Sequence, residues 1–355
     1  VTLTYGPVRV ADTQSSEAWD AFVHGAANGT IYHDSAWLDV LARTYGFVPY
    51  RLTMEDARGE LRGILPLFLV DSKITGRRLV SLPCTNAAGP LSQPGTDVSP
   101  LLVAALDIAQ RQGCGYLEIR GQPDERLSDN VGLSQYDYFG TFLLDLDGDV
   151  AQTRARFDKR ARRGIAKATK SGVTVRFGED KGAIREFYRL NVETRRKHGV
   201  PPQPLAFFEN LWDVFRPRGG VEVLLAEYEG QVVASIILLA YKQTVIYAYG
   251  ASDQGYLKVA PNHALFDAAI AWSVANGHRS FDFGRTSPDN VGLMDFKRQW
   301  GASFHTLPYY HWPKAAGFVS ESESSFKHKC FTAVWRRLPV AAARVLGPPL
   351  YRHLA

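Results

Sequence analysis

Apolar and polar positions along the chain follow two periods, and the order in which helical and strand-like stretches succeed one another is similar in the two halves. In the first half, residues 2–10 read as a strand. Ser15 or Ser16 caps a helix carrying Trp19, Phe22 and Val23, and Asp34 or Ser35 caps a second with Trp37, Leu38, Leu41 and Ala42. Residues 50–55, a turn at 56–59 and residues 60–70 form a hairpin with a long second arm, where Pro66 marks an edge or a bulge. A strand at 79–82, an irregular loop rich in Gly, Pro and Ser at 83–100, a helix at 101–112 ended by Gly113, and strands at 116–120 and 141–146 complete this half.

The second half contains a hairpin at 221–227 and 231–241, a strand at 244–250, a polar loop at 251–260, a helix opened by Pro261 and ended by Gly277, and a strand at 280–283. Residues 104–118 align with 268–282 at an offset of 164, matching Ala104-Ala105-Leu106 to Ala268-Ala269-Ile270, Gly113 to Gly277 and Glu118 to Asp282. The order hairpin, strand, loop, helix, glycine, strand occurs twice. The expected class is therefore α+β, built from two copies of one unit. The expected boundaries are an N-terminal domain at 1–150, a C-terminal domain at 151–313 that begins with a basic helix, and a helical tail at 314–355.

Composition narrows the picture without naming a chemistry. With 45% hydrophobic and 12% aromatic residues the chain can fill sizeable cores, which excludes global disorder. A net charge of +5 is modest, so its placement carries the information. Between Arg154 and Lys170 there are eight cations against one acid, Asp158, while Phe157, Ala161, Ile165 and Ala168 fall at helical spacing. That is a helix with one buried stripe and a cationic remainder, and mutual repulsion of the cations points to an anionic, phosphate-bearing ligand such as a nucleotide, a lipid-linked precursor or tRNA. A second basic patch follows at 195–198. The three cysteines, Cys84, Cys114 and Cys330, have neither metal-site nor disulfide-framework spacing, so no metal centre is expected and a reducing cytoplasm is the simplest setting. No signal peptide and no stretch long enough to span a bilayer is visible. The tail mixes Phe331, Val334, Trp335, Val345 and Leu346 with Arg336, Arg337 and Arg344, and either packs on the domains or lies peripherally on an anionic membrane.

Residues 281–301 concentrate candidate chemistry. Phe281-Asp282-Phe283-Gly284 is strand-like, with the aromatics on one face and the carboxylate on the other. A polar loop from Arg285 to Asn290 leads to Asp295-Phe296-Lys297-Arg298-Gln299-Trp300-Gly301, where cations and large aromatics alternate; Phe296 and Trp300 at i and i+4 also suit a short anchored helix.

This stretch, with Pro261-Asn262-His263-Ala264-Leu265 and the basic helix at 160–172, resembles the FemAB family of peptidyl and acyl transferases, which are tandem GNAT-like domains. Tyr32-His33-Asp34-Ser35-Ala36-Trp37 and Gly63-Ile64-Leu65-Pro66-Leu67 extend the resemblance more loosely into the first half. Within the family the chain is most similar to proteins of bacterial exopolysaccharide and envelope systems. The resemblance implies transfer of an acyl or aminoacyl group onto an amine of an envelope or polysaccharide precursor. Such a reaction needs a donor or cation for the oxyanion of the tetrahedral intermediate. Lys297, matching the family's Phe-Lys motif, is the candidate for that charge. Asp282 and Asp295 are candidates for accepting the amine proton. Arg160, Arg163 and Arg285 are candidate phosphate clamps, and Tyr249, Asn262 and His263 are expected to line the cleft.

GNAT enzymes that use acetyl-CoA hold its pyrophosphate on the amides of a Gly-rich turn at a helix N-terminus. The corresponding loop here, 253–261, has one Gly and ends on Pro261, which has no amide proton. The donor is thus left open between aminoacyl-tRNA and acyl-CoA, with no bound cofactor expected. A non-catalytic module that binds RNA or a lipid head group on the same fold is the alternative from another class.

Overall fold

The computed structural model describes residues 4–5, 8–11, 16–123, 125, 127, 131–146, 148–313 and 326–354. Contacts divide the chain into two compact units. One comprises the described residues up to Gly140 with 305–313 and 352–354; the other comprises those within 141–304 and 326–351.

The first unit opens on strands β1 (Thr4–Tyr5) and β2 (Val8–Ala11), followed by helices α1 (Ser16–Gly25) and α2 (Ser35–Tyr45). Asp34 caps α2 through the amide of Ala36, and Gly46 closes it in the left-handed conformation, as a C-terminal glycine should. Strands β3 (Val48–Glu55), β4 (Leu61–Ser72) and β5 (Gly76–Val80) form an antiparallel meander beside β2. The two-residue β6 (Leu91–Ser92) also pairs with β4. Helix α3 (Ser99–Arg111) leads to β7 (Tyr116–Arg120), which lies parallel to β5. Apolar side chains of α3 meet those of β3, β4, β5 and β7 in one core.

Pro66 marks a local edge, since on the side away from β3 it has no ladder partner. It faces Arg51 of β3 within a strand paired on both sides, and it falls between the residues of β4 bonded to β6 (Gly63, Ile64) and those bonded to β5 (from Phe68). The missing amide proton lies where the strand changes partners, so no ladder bond is lost.

Strand β8 (Ser134–Asp145) carries the chain into the second unit. The expected single basic helix is broken in two: α4 (Val150–Ala155) stops, and α5 (Lys159–Lys170) restarts from Asp158, the one acid of the run. Asp158 accepts from the amides of Arg160 and Ala161, spending its charge on the helix N-terminus. Next come β9 (Thr174–Phe177), α6 (Lys181–His198), α7 (Leu205–Phe215), β10 (Val221–Tyr228), β11 (Gln231–Tyr241) and β12 (Thr244–Ser252). A 3-10 turn (Gln254–Val259) leads into α8 (Pro261–Ala275), and then β13 (Ser280–Asp282), α9 (Val291–Arg298) and β14 (Ser303–Trp312), whose later residues pair with β7 in the first unit's sheet. Strands β9 to β12 are antiparallel neighbours, β13 is parallel to β12, and β8 is antiparallel to β13.

The repeat is visible in the pairing itself. Tyr116, Leu117 and Glu118 lie parallel to Arg78, Leu79 and Val80; 164 residues on, Ser280, Phe281 and Asp282 lie parallel to Thr244, Val245 and Ile246. This is the α+β architecture that the sequence pattern predicts.

Two further helices, Phe326–Arg337 and Val340–Leu354, follow. In the second unit Trp335 is buried, Thr332 packs on Gly199 and Gly347 packs on Pro202.

Candidate active site

In the second unit, β12 pairs with β13 only from Thr244 to Ile246. There β12 carries an extra residue, Ala248, between the pairs Leu238–Tyr247 and Ile237–Tyr249, and such a bulge bends the strand that carries it. Beyond Asp282 the other strand stays with β8, where Phe283 donates its amide to the Phe142 carbonyl. The strands therefore part, and the opening lies between the C-terminal end of β12 and the loop after β13. Tyr247 is half-buried there, its hydroxyl so close to Gly250 that a Cβ there would lie 2.0 Å away.

Lys297 comes to this place from α9. Only 2% exposed, it donates from Nζ to the Gly284 carbonyl at 2.6 Å, to Thr286 Oγ1 at 2.6 Å and, weakly, to the Arg285 carbonyl at 3.4 Å. Burial pushes its pKa down to about 7; nearby Asp282 favours the charged form, and Arg285 opposes it. An ammonium that exchanges its proton near neutrality in a strand opening is the kind of perturbed group found at reaction centres. Asp282, at the last paired position, accepts from the Gly284 amide at 2.7 Å and from the Thr141 hydroxyl. Asp282, Arg285 and Lys297 are thus gathered around one short loop, with Thr141 and Thr286 as further members that no pattern in the sequence singles out.

The other candidates divide. His263 lies on the first turn of α8, against the rings of Phe296 and Trp300, with its Nε2 3.4 Å from Gln299 Nε2; burial lowers its pKa. Gly164 of α5 faces the ring so closely that only a glycine fits. Asn262 Oδ1 accepts from the Ser252 hydroxyl at 2.7 Å, tying the helix start to the end of β12. Tyr249 packs edge-on against Phe207 and Phe208 of α7. Asp295 sits two residues before Lys297 on α9, hence on a different face, and pairs with Arg298 at 3.0 Å. Arg160 pairs with Asp158 at 3.0 Å on the surface of α5, and Arg163 is exposed on that helix.

On α5, Lys159, Arg162, Arg163, Lys167 and Lys170 are exposed and make no ion pair among the described residues, whereas Ala161 and Ala168 are buried. The second basic patch is employed otherwise. Arg195 donates to the Pro201 carbonyl, Arg196 to the Leu338 carbonyl and Lys197 to Gln254, around a helix end that favours cations. The loop before α8 also turns several of its amides on itself. The amides of Gly255, Tyr256, Ala260 and His263 donate to Asp253 Oδ1, the Asp253 carbonyl, the Leu257 carbonyl and the Ala260 carbonyl respectively, and Pro261 has none to give.

The first unit carries a buried polar cluster at the corresponding strand ends. Arg120 donates to Glu118 and to the carbonyls of Leu82 and Thr85, while His33 bridges Thr30 and the Gly89 carbonyl. These bonds hold the loop after β5, in which Leu82 and Cys84 have positive φ.

A family model described as an acetyltransferase (GNAT) domain matches residues 155–298. The chain is 23% identical over 297 residues to the UDP-N-acetylmuramoylpentapeptide-lysine N(6)-alanyltransferase of Weissella viridescens, covering 77% of this chain and 84% of that protein. It is also 23% identical over 382 residues to the lipid II:glycine glycyltransferase of Staphylococcus saprophyticus, covering 81% and 88% of the two. Its fold superposes on the crystal structure of FemX with a TM-score of 0.68 at 17% identity, over 89% of this chain and 99% of that one. A tandem GNAT protein from the clavulanic acid biosynthesis pathway superposes with a TM-score of 0.53 at 12% identity, over 88% and 97%. None of these carries an exopolysaccharide association, so that part of the expectation gains no support from them. Residues 155–298 thus match a GNAT acetyltransferase domain, and the chain as a whole is similar to FemAB-like acyltransferases and shares the fold of FemX.

Proposed function

We propose that the chain transfers an aminoacyl group from aminoacyl-tRNA to an amine of a peptidoglycan precursor, working close to the membrane when that precursor is lipid-linked. The acceptor class rests on the relatives, whose names give lipid II and a UDP-linked muramoylpentapeptide as substrates. The donor class rests on one observation, the loop before α8. Four amides there bond to the loop's own oxygens and Pro261 has none to give, which leaves poor provision for the pyrophosphate of coenzyme A. The unpaired cations of α5 supply a surface suited to a phosphodiester backbone.

In this reading the acceptor amine nitrogen attacks the ester carbonyl carbon. The N–C bond forms, the C–O bond to the ribose breaks, and the amine proton passes by way of the Asp282 carboxylate to the departing ribose oxygen. Lys297 stabilises the oxyanion by giving it the N–H now held by the long contact to the Arg285 carbonyl, while its two short bonds keep the ammonium aimed. Arg285, Arg160 and Arg163 meet phosphates; Tyr249, Asn262 and His263 shape the wall.

The test pairs donors with a variant. Purified protein is assayed for transfer and binding with charged and uncharged tRNA, and separately with acetyl- and long-chain acyl-CoA, at two salt concentrations. Transfer from charged tRNA is expected, reduced roughly 10²–10³-fold in Lys297→Met with tRNA affinity retained. Saturable coenzyme A binding at high salt, with acyl transfer from it, would overturn the donor assignment.

A further inference from the structure

Residues 326–354 contain six Lys or Arg and no Asp or Glu; Glu321 and Glu323 precede them in the sequence. The described side chains of this stretch are two-faced. One face is committed to the second unit: Trp335 and Ala343 are buried, Thr332 closes on Gly199, Gly347 closes on Pro202, and the Leu338 carbonyl accepts from Arg196. On the Val340–Leu354 helix, Ala343 and Gly347 share one side, and Val345 lies on the opposite side. Val345 is 71% exposed, Val334 on the preceding helix is 62% exposed, and Leu346 and Val340 are exposed as well. Arg336, Arg337 and Arg344 stand among them, exposed and without an ion pair among the described residues. Exposed aliphatic side chains interspersed with arginines and no carboxylate are unusual for a surface facing only water.

We infer that the outward face of these two helices docks on an anionic lipid surface, with the aliphatic side chains entering the interface and the arginines meeting lipid phosphates. The charge pattern selects this occupant. A second copy would bring identical arginines against these with no acid to pair them. An RNA strand would match the cations, but the exposed apolar residues here are aliphatic and offer no ring for a base to stack on. A bilayer interface accepts both kinds of side chain together. Helix α5 differs in this respect, since its apolar stripe is already buried and it presents cations alone. The inference does not depend on the identity of donor or acceptor, and no described helix is long and apolar enough to cross a membrane.

The experiment is vesicle flotation of the full chain with phosphatidylcholine alone and with about one third phosphatidylglycerol. Three variants accompany it: Val334→Glu with Val345→Glu; Arg336→Gln, Arg337→Gln and Arg344→Gln together; and Arg162→Gln with Arg163→Gln on α5. All changes are at exposed positions, and thermal melts check that each variant folds as the parent does. The parent is expected to float with anionic vesicles, and both tail variants to lose roughly tenfold in partitioning, with the α5 variant retaining it. Failure of the parent to float overturns the inference, as does flotation that survives both tail variants or vanishes only with the α5 change. Concentration-dependent self-association abolished by the same tail changes, without vesicle binding, would assign the face to a second copy instead.

Discussion

Gly164 offers a test in which a single methyl group has opposite effects in two backgrounds. It lies within α5, and a Cβ built there would fall 2.2 Å from His263 Cδ2, 2.4 Å from Cγ and 2.5 Å from Nε2. Replacing an interior helical glycine by alanine ordinarily gains about 1 kcal/mol of helix propensity. Here the methyl meets a ring that is itself held by Phe296 and Trp300, and relief of such an overlap costs about 1–3 kcal/mol. Gly164→Ala is therefore expected to destabilise by up to about 2 kcal/mol, lowering the melting temperature by about 4–8 °C. In a His263→Ala background the obstacle is gone, and the same change should stabilise by about 1 kcal/mol. The assay is urea unfolding of the four proteins of the cycle, with the coupling taken from the midpoints at constant slope. A Gly164→Ala protein that gains its full propensity with His263 in place, and shows negligible coupling, refutes the contact between α5 and α8 on which the argument rests.

Two other expectations concern the same unit. Lys297 has a pKa of about 7 in the folded chain against about 10.4 when unfolded. Between these values the unfolded chain holds more protons, so the group's contribution makes stability rise with pH from about 7 to about 10. Lys297→Met should lose that part of the slope, and urea midpoints at a series of pH values that shift in parallel would contradict it. Asp158→Ala removes the acceptor for two amides at the start of α5 and should cost about 1 kcal/mol, read as a lower midpoint with an unchanged denaturant slope.

The alternation of elements was legible because each half repeats the same local rules: a hairpin turn, a strand, a helix closed by glycine, a parallel strand. The offset of 164 that aligns Glu118 with Asp282 reappears as two equivalent parallel pairings, whose partner strands are offset by 166. Lys297 stood out by its match to the Phe-Lys motif of the family it resembles, but its burial did not, because the oxygens that receive it lie 11 to 13 residues away on a loop with no period of its own. Thr141 and Thr286 were missed for the same reason, their partners being set by tertiary structure. Gly164, a lone glycine in a helical pattern, was a usable signal of close approach that the count of surrounding cations obscured. The run at 195–198 resembles the run on α5 in composition, and only the structure separates them. One ends a helix and is engaged by carbonyls; the other faces outward. The cluster around His33 and Arg120 joins residues up to 89 positions apart and gave no local sign.

Arg285 has two ends with different tasks. Its carbonyl holds one hydrogen of the Lys297 ammonium, and its guanidinium, exposed on the loop, pushes that ammonium toward the neutral form. An anion arriving at the guanidinium would cancel the repulsion, and Lys297 would then bind a proton from the medium. Occupancy of the loop by a phosphate would in this way favour the charged form of Lys297. Calorimetric titration with a phosphate-bearing ligand near pH 7, repeated in buffers of unlike ionisation heat, reads the proton directly; heats that do not change with buffer would show that the two ends act independently.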